Sequence, residues 1–179
     1  INVAAKLFKE KGYSAVTMRD IALEMDIKAA SLYNHIKSKQ EILIFIIIEI
    51  AEEFTLNMNK IVTSAISTIQ KIEKVIDLHI DITIRNPEAL ACLNNDWMHL
   101  EDADLKYFIK MREDYEQNFR SIIKNGIQNN EIQNLNVEVI IFSTLSTLRT
   151  LYLWYDKTKN LNEKVLKNNM KKVLLNGIV

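Results

Sequence analysis

Three glycines, one proline and one cysteine in 179 residues leave this chain few ways to turn sharply and no way to cross-link itself. Gly and Pro make the tight turns that sheet-rich folds need in number, so a β-sandwich or barrel is excluded. The single cysteine, Cys92, forbids an intrachain disulfide or a cysteine-built zinc cage, and a reducing cytoplasm is the expected setting. Charge of one sign is missing too. The 23 Lys and Arg balance the 23 Asp and Glu, which is not the composition of a protein that coats nucleic acid with its whole surface. The apolar run at 42–48 lies between Glu41 and Glu49 and is too short to cross a bilayer, so no membrane partner is expected. There is no Gly-rich phosphate loop and no visible signal peptide. Because the first residue is Ile1 rather than Met, the true beginning of the protein is expected upstream of it.

What the chain does have is apolar residues, 48% of the total, set at helical spacing. The fold class read from this is all-α. Ala4, Ala5, Leu7 and Phe8 make a stripe that ends at Gly12, which suits a left-handed C-terminal cap. Thr17 and Asp20 form a capping pair ahead of a short helix over 18–25, with Ile21, Ala22 and Met25 facing inward. Asp26 is a residue that tolerates positive φ in the turn, and a second short helix follows over 29–36, burying Leu32 and Ile36. Ser38 and Glu41 read as a capping box. That box decides for helix over strand in the β-branched run after it, and the helix continues to about residue 58. Further helices are expected over 62–85, over 87–100 with Asn86 as cap and Pro87 at the first position, and over 102–129. Two more, over 137–155 and 163–175, follow the caps Asn136 and Asn162, with Gly177 just past the end.

Charge is balanced overall but not locally. Residues 1–45 hold seven basic side chains (Lys6, Lys9, Lys11, Arg19, Lys28, Lys37, Lys39) and five acidic ones (Glu10, Asp20, Glu24, Asp26, Glu41). Within them, 27–40 carries three lysines and His35 and no carboxylate, a field that a polyanion would read. Two short helices joined by a tight turn behind a third are a helix-turn-helix, and Ala22 is small enough to let them approach. The second helix leaves Lys28, Ala29, Ser31 and Asn34 on a face the core does not need, small and polar enough to enter a major groove.

Residues Ile1, Ala4, Ala5, Leu7, Phe8, Gly12 and Tyr13, then Thr17, Ile21 and Ala22, then Ser31, Leu32, Tyr33, His35, Ile36, Ser38 and Lys39, followed by Ile42 and Leu43, make up a pattern that resembles the TetR family of regulators. It covers about the first quarter of the chain. Lys28 stands where that family often has a Ser cap, and Ala30 where it often has Gly. The resemblance implies that Thr17, Tyr33, His35 and Lys39 contact phosphates, while Lys28, Ala29, Ser31 and Asn34, with Ala30 among them, face the bases. It further implies a DNA-binding domain over 1–44 and a helical ligand-binding and dimerisation domain over 45–179, with no catalytic residues, cofactor or metal. The long helix starting near Lys39 is expected to join the two parts rigidly.

Beyond residue 45 the residues speak less specifically. Trp97, Met98, Phe108, Met111, Tyr115 and Phe119 are large soft side chains at helical spacing, either simple core or the wall of a small-molecule site with His79 as polar anchor. Asp96-Trp97, Gly126, Trp154-Tyr155 and Leu174 with Gly177 are similar to regulators answering to fatty acyl or steroid-derived coenzyme A thioesters. Cys92, Asp96 and His99 share a helical face, but Cys92 and His99 stand about 10 Å apart along its axis, too far for a nucleophile and its base. Asp77, His79 and Asp81 do not share a face. A helical enzyme and a protein-interaction module are thus the alternatives to a DNA-binding regulator. Ile140, Ile141, Leu145, Leu148, Leu151 and Leu153, with Val165, Leu166, Val173 and Leu174, exceed one core-facing stripe, so the last two helices are expected to build a homodimer. A two-fold dimer reads a double-stranded, inverted-repeat operator.

Overall fold

A computed structural model describes residues 1–155 and 161–179. Their helices are α1 (Asn2–Lys11), α2 (Met18–Glu24), α3 (Ala29–Tyr33), α4 (Lys39–Thr63), α5 (Thr68–Arg85), α6 (Pro87–Asn95), α7 (Asp102–Gln128), α8 (Val137–Tyr155) and α9 (Glu163–Leu175). Single 3₁₀ turns occupy Tyr13–Ala15 and Trp97–His99. Among the described residues there is no strand, and no helix is long and apolar enough to cross a membrane.

The helix ends follow from local hydrogen-bond demand. Thr17 and Asp20 cap each other reciprocally at the start of α2. Its other end is a Schellman turn: the Ile27 N–H donates to the Ala22 carbonyl and the Asp26 N–H to that of Leu23, each at 3.0 Å, with Asp26 at φ 55°. Met25, expected inside, is 40% exposed, because the turn carries it away from the core. Gly12 has positive φ but extended ψ (80°, 143°), so it leaves α1 without a left-handed cap. Ser38 accepts from the Glu41 N–H at 3.1 Å, but the Glu41 carboxylate accepts from the Lys37 N–H at 2.7 Å. That N–H lies just beyond α3, and taking it shifts the expected box by one residue. Helix α4 runs past residue 58 to Thr63, and α5 begins at Thr68 rather than near 62. A second reciprocal pair causes this, Ser67 with Gln70, its two bonds 3.1 and 3.2 Å long. Pro87 does open α6, but Asn86 makes no side-chain cap. The helix gives way after Asn95, where Asp96 turns inward and bonds to the Tyr13 backbone. Asn136 and Asn162 cap α8 and α9 as expected.

The described chain forms two compact units, Ile1–Glu52 with Asn86–Met111, and Glu53–Arg85 with Arg112–Val179. In the first, α1 packs against both α2 and α6, and α2 packs on α3. Its core joins Phe8, Val16, Ile21, Ala22, Leu32, Ile42, Leu43, Ile46 and Ile47 to Cys92, Leu100 and Phe108. In the second, α5 lies against α8 and α9, with Ile72, Val75, Ile76, Ile80, Phe119 and Ile123 buried. Lys171 pairs with Asp77 at 2.6 Å, and Lys167 pairs with Asp81, one helical turn on. Five of the six α8 residues expected to be surplus, Ile140, Ile141, Leu145, Leu148 and Leu151, belong to this core; only Leu153 is exposed. The apolar residues exposed on α8 are instead Val139, Phe142, Leu153 and Trp154, and on α9 Val165 and Val173, Leu166 being buried.

Gly126 makes one approach possible in the second unit. A Cβ there would lie 2.4 Å from Thr68 Cγ2, and Thr68 is held by Glu131 through its N–H at 2.7 Å and its hydroxyl at 3.1 Å. A β-branched side chain fixed at both ends cannot swing away. Gly126→Ala is expected to destabilise the protein by about 1–3 kcal/mol, although alanine is the better helix former by about 1 kcal/mol. Urea unfolding should also show Thr68→Ser, which deletes the clashing methyl, restoring most of the loss.

Candidate nucleic-acid interface

Helix α3 is only five residues long, and α2, the Schellman turn and the buried Leu32, 4% exposed, hold it in place. Lys28 is its N-cap residue and Asn34 its C-cap residue, still in helical conformation. Lys28, Ala30, Ser31, Tyr33, Asn34 and His35 are exposed and Ala29 is half-buried. These expected base and phosphate contacts therefore share one solvent-facing stretch. Tyr33 is 51% exposed and is not a core aromatic. Thr17 is exposed at the head of α2, but its hydroxyl already donates to Asp20 at 2.6 Å. That bond, and a second from the Thr17 N–H, hold the Asp20 carboxyl below its ordinary range.

Lys39 sits differently from the others. Its ammonium donates to the carbonyls of Tyr13 at 2.7 Å and Val16 at 2.8 Å and lies 4.1 Å from the centre of the Tyr13 ring. Partial burial lowers its pKa, yet two carbonyls and a π-face favour the charged form here. Next to it, Gln40 accepts from the Tyr13 hydroxyl at 2.6 Å and donates to the His99 carbonyl at 2.8 Å. The Tyr13 ring is 5.0 Å from that of His99, and burial, with the charges of Glu101 and Asp96, raises its pKa and keeps it a donor. Gln40 was invisible as a functional residue in the sequence, since its partners lie 27 and 59 positions away.

A model of bacterial regulatory proteins of the tetR family matches residues 1–45, and one of the tetracyclin repressor-like C-terminal domain matches residues 65–178. The chain belongs to the TetR family. It is a helix-turn-helix transcription regulator, as the α1–α3 geometry and both matches agree. The HTH-type transcriptional repressor KstR2 of Rhodococcus jostii is 21% identical over 180 residues, spanning 99% of this chain and 88% of that protein. The ketosteroid transcriptional regulator KstR2 of Mycobacterium tuberculosis superposes with a TM-score of 0.92 at 20% identity, covering 99% and 91% of the two chains. AibR, solved with isovaleryl coenzyme A and operator DNA, superposes at 0.82 with 19% identity, covering 97% and 95%.

The candidate effector residues all fall in the segment matched by the TetR C-terminal model, but the fold divides them. In the first unit Trp97 stacks on Phe108 at 5.8 Å, Met111 is buried, and Met98 is 61% exposed. In the second, His79 Nε2 bonds the Tyr115 hydroxyl at 2.9 Å, Phe54 lies 4.7 Å from the imidazole, and Phe119 is fully buried. Burial, with the nearby Arg149 cation second, pushes the His79 pKa down to about 3; burial also raises that of Tyr115. The residues weighed for enzyme chemistry have structural roles. Cys92 is buried with Sγ 3.8 Å from the Ala5 carbonyl, and burial pushes its thiol up to about 12. Asp96 is bonded to the Tyr13 backbone, and Asp77 and Asp81 are paired with lysines. Among the described residues no group of three His, Cys, Asp or Glu could hold a metal.

Lys39→Ala is expected to lower stability by about 1–3 kcal/mol, whereas exposed Lys37→Ala stays within about 0.5 kcal/mol; equal losses in chemical unfolding would contradict the clamp. His79 gives a pH signature. The unfolded chain protonates its imidazole near 6.5 and the folded one near 3, so the unfolded state holds the extra proton between those values. Stability from this group is complete above 6.5 and falls as pH drops through that window. Unfolding curves from pH 7 to 4 should fall more steeply for the parent than for His79→Asn, by at most about 1.4 kcal/mol per pH unit.

Proposed function

We propose that this regulator binds an inverted-repeat operator as a two-fold homodimer, represses from it, and is released by an apolar or amphipathic effector of the acyl-thioester or sterol-derived class. DNA binding belongs to residues 1–44, and effector binding and dimerisation to 45–179. The observation that carries the reading is the exposed set Lys28, Ala30, Ser31, Tyr33, Asn34 and His35, offering an ammonium, hydroxyls, a carboxamide and an imidazole with no carboxylate among them. Lys28, Ala29, Ala30, Ser31 and Asn34 meet base edges; Tyr33 and His35 meet phosphates, Thr17 does so by turning its hydroxyl from Asp20, and Lys39 offers its third N–H to one.

The dimer reading rests on α8 and α9. Phe142 and Val173 are each 72% exposed, and Ser143, Thr147 and Thr150 lie exposed between Val139 and Leu153 on α8, small enough for a second helix to approach closely. Two helices from each subunit make a four-helix bundle, and a two-fold arrangement uses the same patch twice. The effector class is supported by the two neighbours named above. Two sets of residues are proposed for the effector, each within one unit: Trp97, Met98, Phe108 and Met111 in the first, and His79, Tyr115 and Phe119 in the second. Helix α4 supplies residues to both compact units and is the proposed lever. An effector releases DNA only by preferring the dimer whose recognition helices are wrongly spaced, and a coupling of about 1–3 kcal/mol suffices.

The test has two arms. Sedimentation at micromolar concentration should show a dimer for the parent and a monomer for Phe142→Glu with Val173→Glu, the monomer losing operator affinity while keeping its helical circular dichroism. A parent that is monomeric contradicts the dimer. In Trp154→Phe, titration with isovaleryl coenzyme A, palmitoyl coenzyme A or a sterol acid should change Trp97 fluorescence and lower DNA affinity together; no change with any of them sinks the effector class.

A further inference from the structure

We infer that the half-site read by α3 is built on A·T pairs, with a thymine methyl against Ala30 and an adenine against Asn34. The inference rests on the DNA-binding reading above and adds what that surface prefers. Leu32 fixes the rotation of α3, because it is the buried residue of the helix. At about 100° per residue, positions two before and two after Leu32 point almost directly away from it. Those positions are Ala30 and Asn34, both exposed. They sit one turn apart on the outermost ridge of the helix, with Ser31 and Tyr33 on its flanks.

The chemistry of that ridge is narrow. In the major groove guanine shows two acceptors that suit Arg or Lys, cytosine a donor that suits Asp or Glu, adenine an acceptor–donor pair that suits Asn or Gln, and thymine a methyl group. Residues 28–35 contain no Arg, Asp, Glu or Gln. Ala30 cannot reach a polar base edge, and its methyl over a G·C pair would strip water from acceptors or donors and return no partner. Over thymine it gains apolar contact instead. The Asn34 carboxamide can accept from adenine N6 while donating to N7; guanine, with two acceptors, satisfies only half of it. The two residues are about 6 Å apart along the axis, about two base-pair steps of 3.4 Å. Lys28, at the N-cap, reaches guanine or a phosphate only at the flank of this pair.

Selection of the full chain against a randomised duplex library, followed by anisotropy titrations, tests the inference. Enriched half-sites should carry a thymine and an adenine at the two central positions. Replacing that thymine by deoxyuridine, which deletes only the methyl, should weaken binding about three- to fivefold, and Ala30→Gly should abolish the difference. Replacing the adenine by 7-deazaadenine should cost at least about fivefold, with Asn34→Ala indifferent to the change. Ala30→Arg should move the preference at its position to guanine. G·C at either central position, or a deoxyuridine duplex bound as tightly as its thymine parent at every site scanned, overturns this inference and leaves the DNA-binding reading intact. If no duplex is retained above the high-salt baseline, both fall together.

Discussion

The ammonium of Lys39, bonded to the carbonyls of Tyr13 and Val16 and lying over the Tyr13 ring, fixes the junction on which the DNA-binding surface depends. Those carbonyls belong to the short connector between α1 and α2, where a single 3₁₀ bond, from the Val16 N–H to the Tyr13 carbonyl at 3.3 Å, takes the place of the α-helical ladder. Exposed pairs such as Lys6 with Glu24, 3.6 Å apart and each about half exposed, contribute at most about 1 kcal/mol. Lys39 is different, because one cation serves two carbonyls and an aromatic face at the first residue of α4. With Gln40 bridging Tyr13 to His99, the start of α4, the α1–α2 connector and the turn after α6 become one hydrogen-bonded cluster.

A five-residue helix has no stability of its own, since nucleation alone is unfavourable. Helix α3 persists because Asp26 takes up positive φ, the Schellman bonds close α2, and Leu32 reaches the core that Ile21, Ala22 and Ile42 also share. The same economy explains what α3 shows to solvent. One buried residue orients the element, which leaves the side chains opposite it free of any packing duty. Small and neutral residues stand there, and on the proposed docking they are what would confine the bases that α3 can recognise.

Much of this was legible in the sequence wherever the physics is local. Thr17 with Asp20, Asp26, Ser38, Asn136 and Asn162 each act within four residues of themselves, and the structure finds each in its expected role at a helix end or turn. The TetR-like pattern from Ile1 to Leu43 carried the helix-turn-helix in the same way. Competition between local signals was harder to read. Glu41 chose the Lys37 N–H, Asn86 did not cap, and Ser67 with Gln70 moved the start of α5. Partners far apart in sequence could not be read at all. Nothing near Lys39 announces Val16, nothing near α6 announces its packing on α1, and the run from Trp97 to Phe119 gives no sign that the fold divides it between two units. On α8, periodicity counted the apolar residues correctly, but which were core and which outward depended on where α5 lies.

The outward face of α3 is the surface proposed to meet DNA. Cys92 is fully buried, so a cysteine placed on the surface offers the one reactive thiol. The direct measurement is photo-cross-linking from such a thiol to a selected duplex, comparing Ala30→Cys with Leu23→Cys, whose parent residue is 79% exposed on neighbouring α2. Cross-links to base positions within the half-site from residue 30, and none to bases from residue 23, are the predicted result. Base cross-links from residue 23 with none from residue 30 would place a different face of the helix-turn-helix in the groove and contradict it.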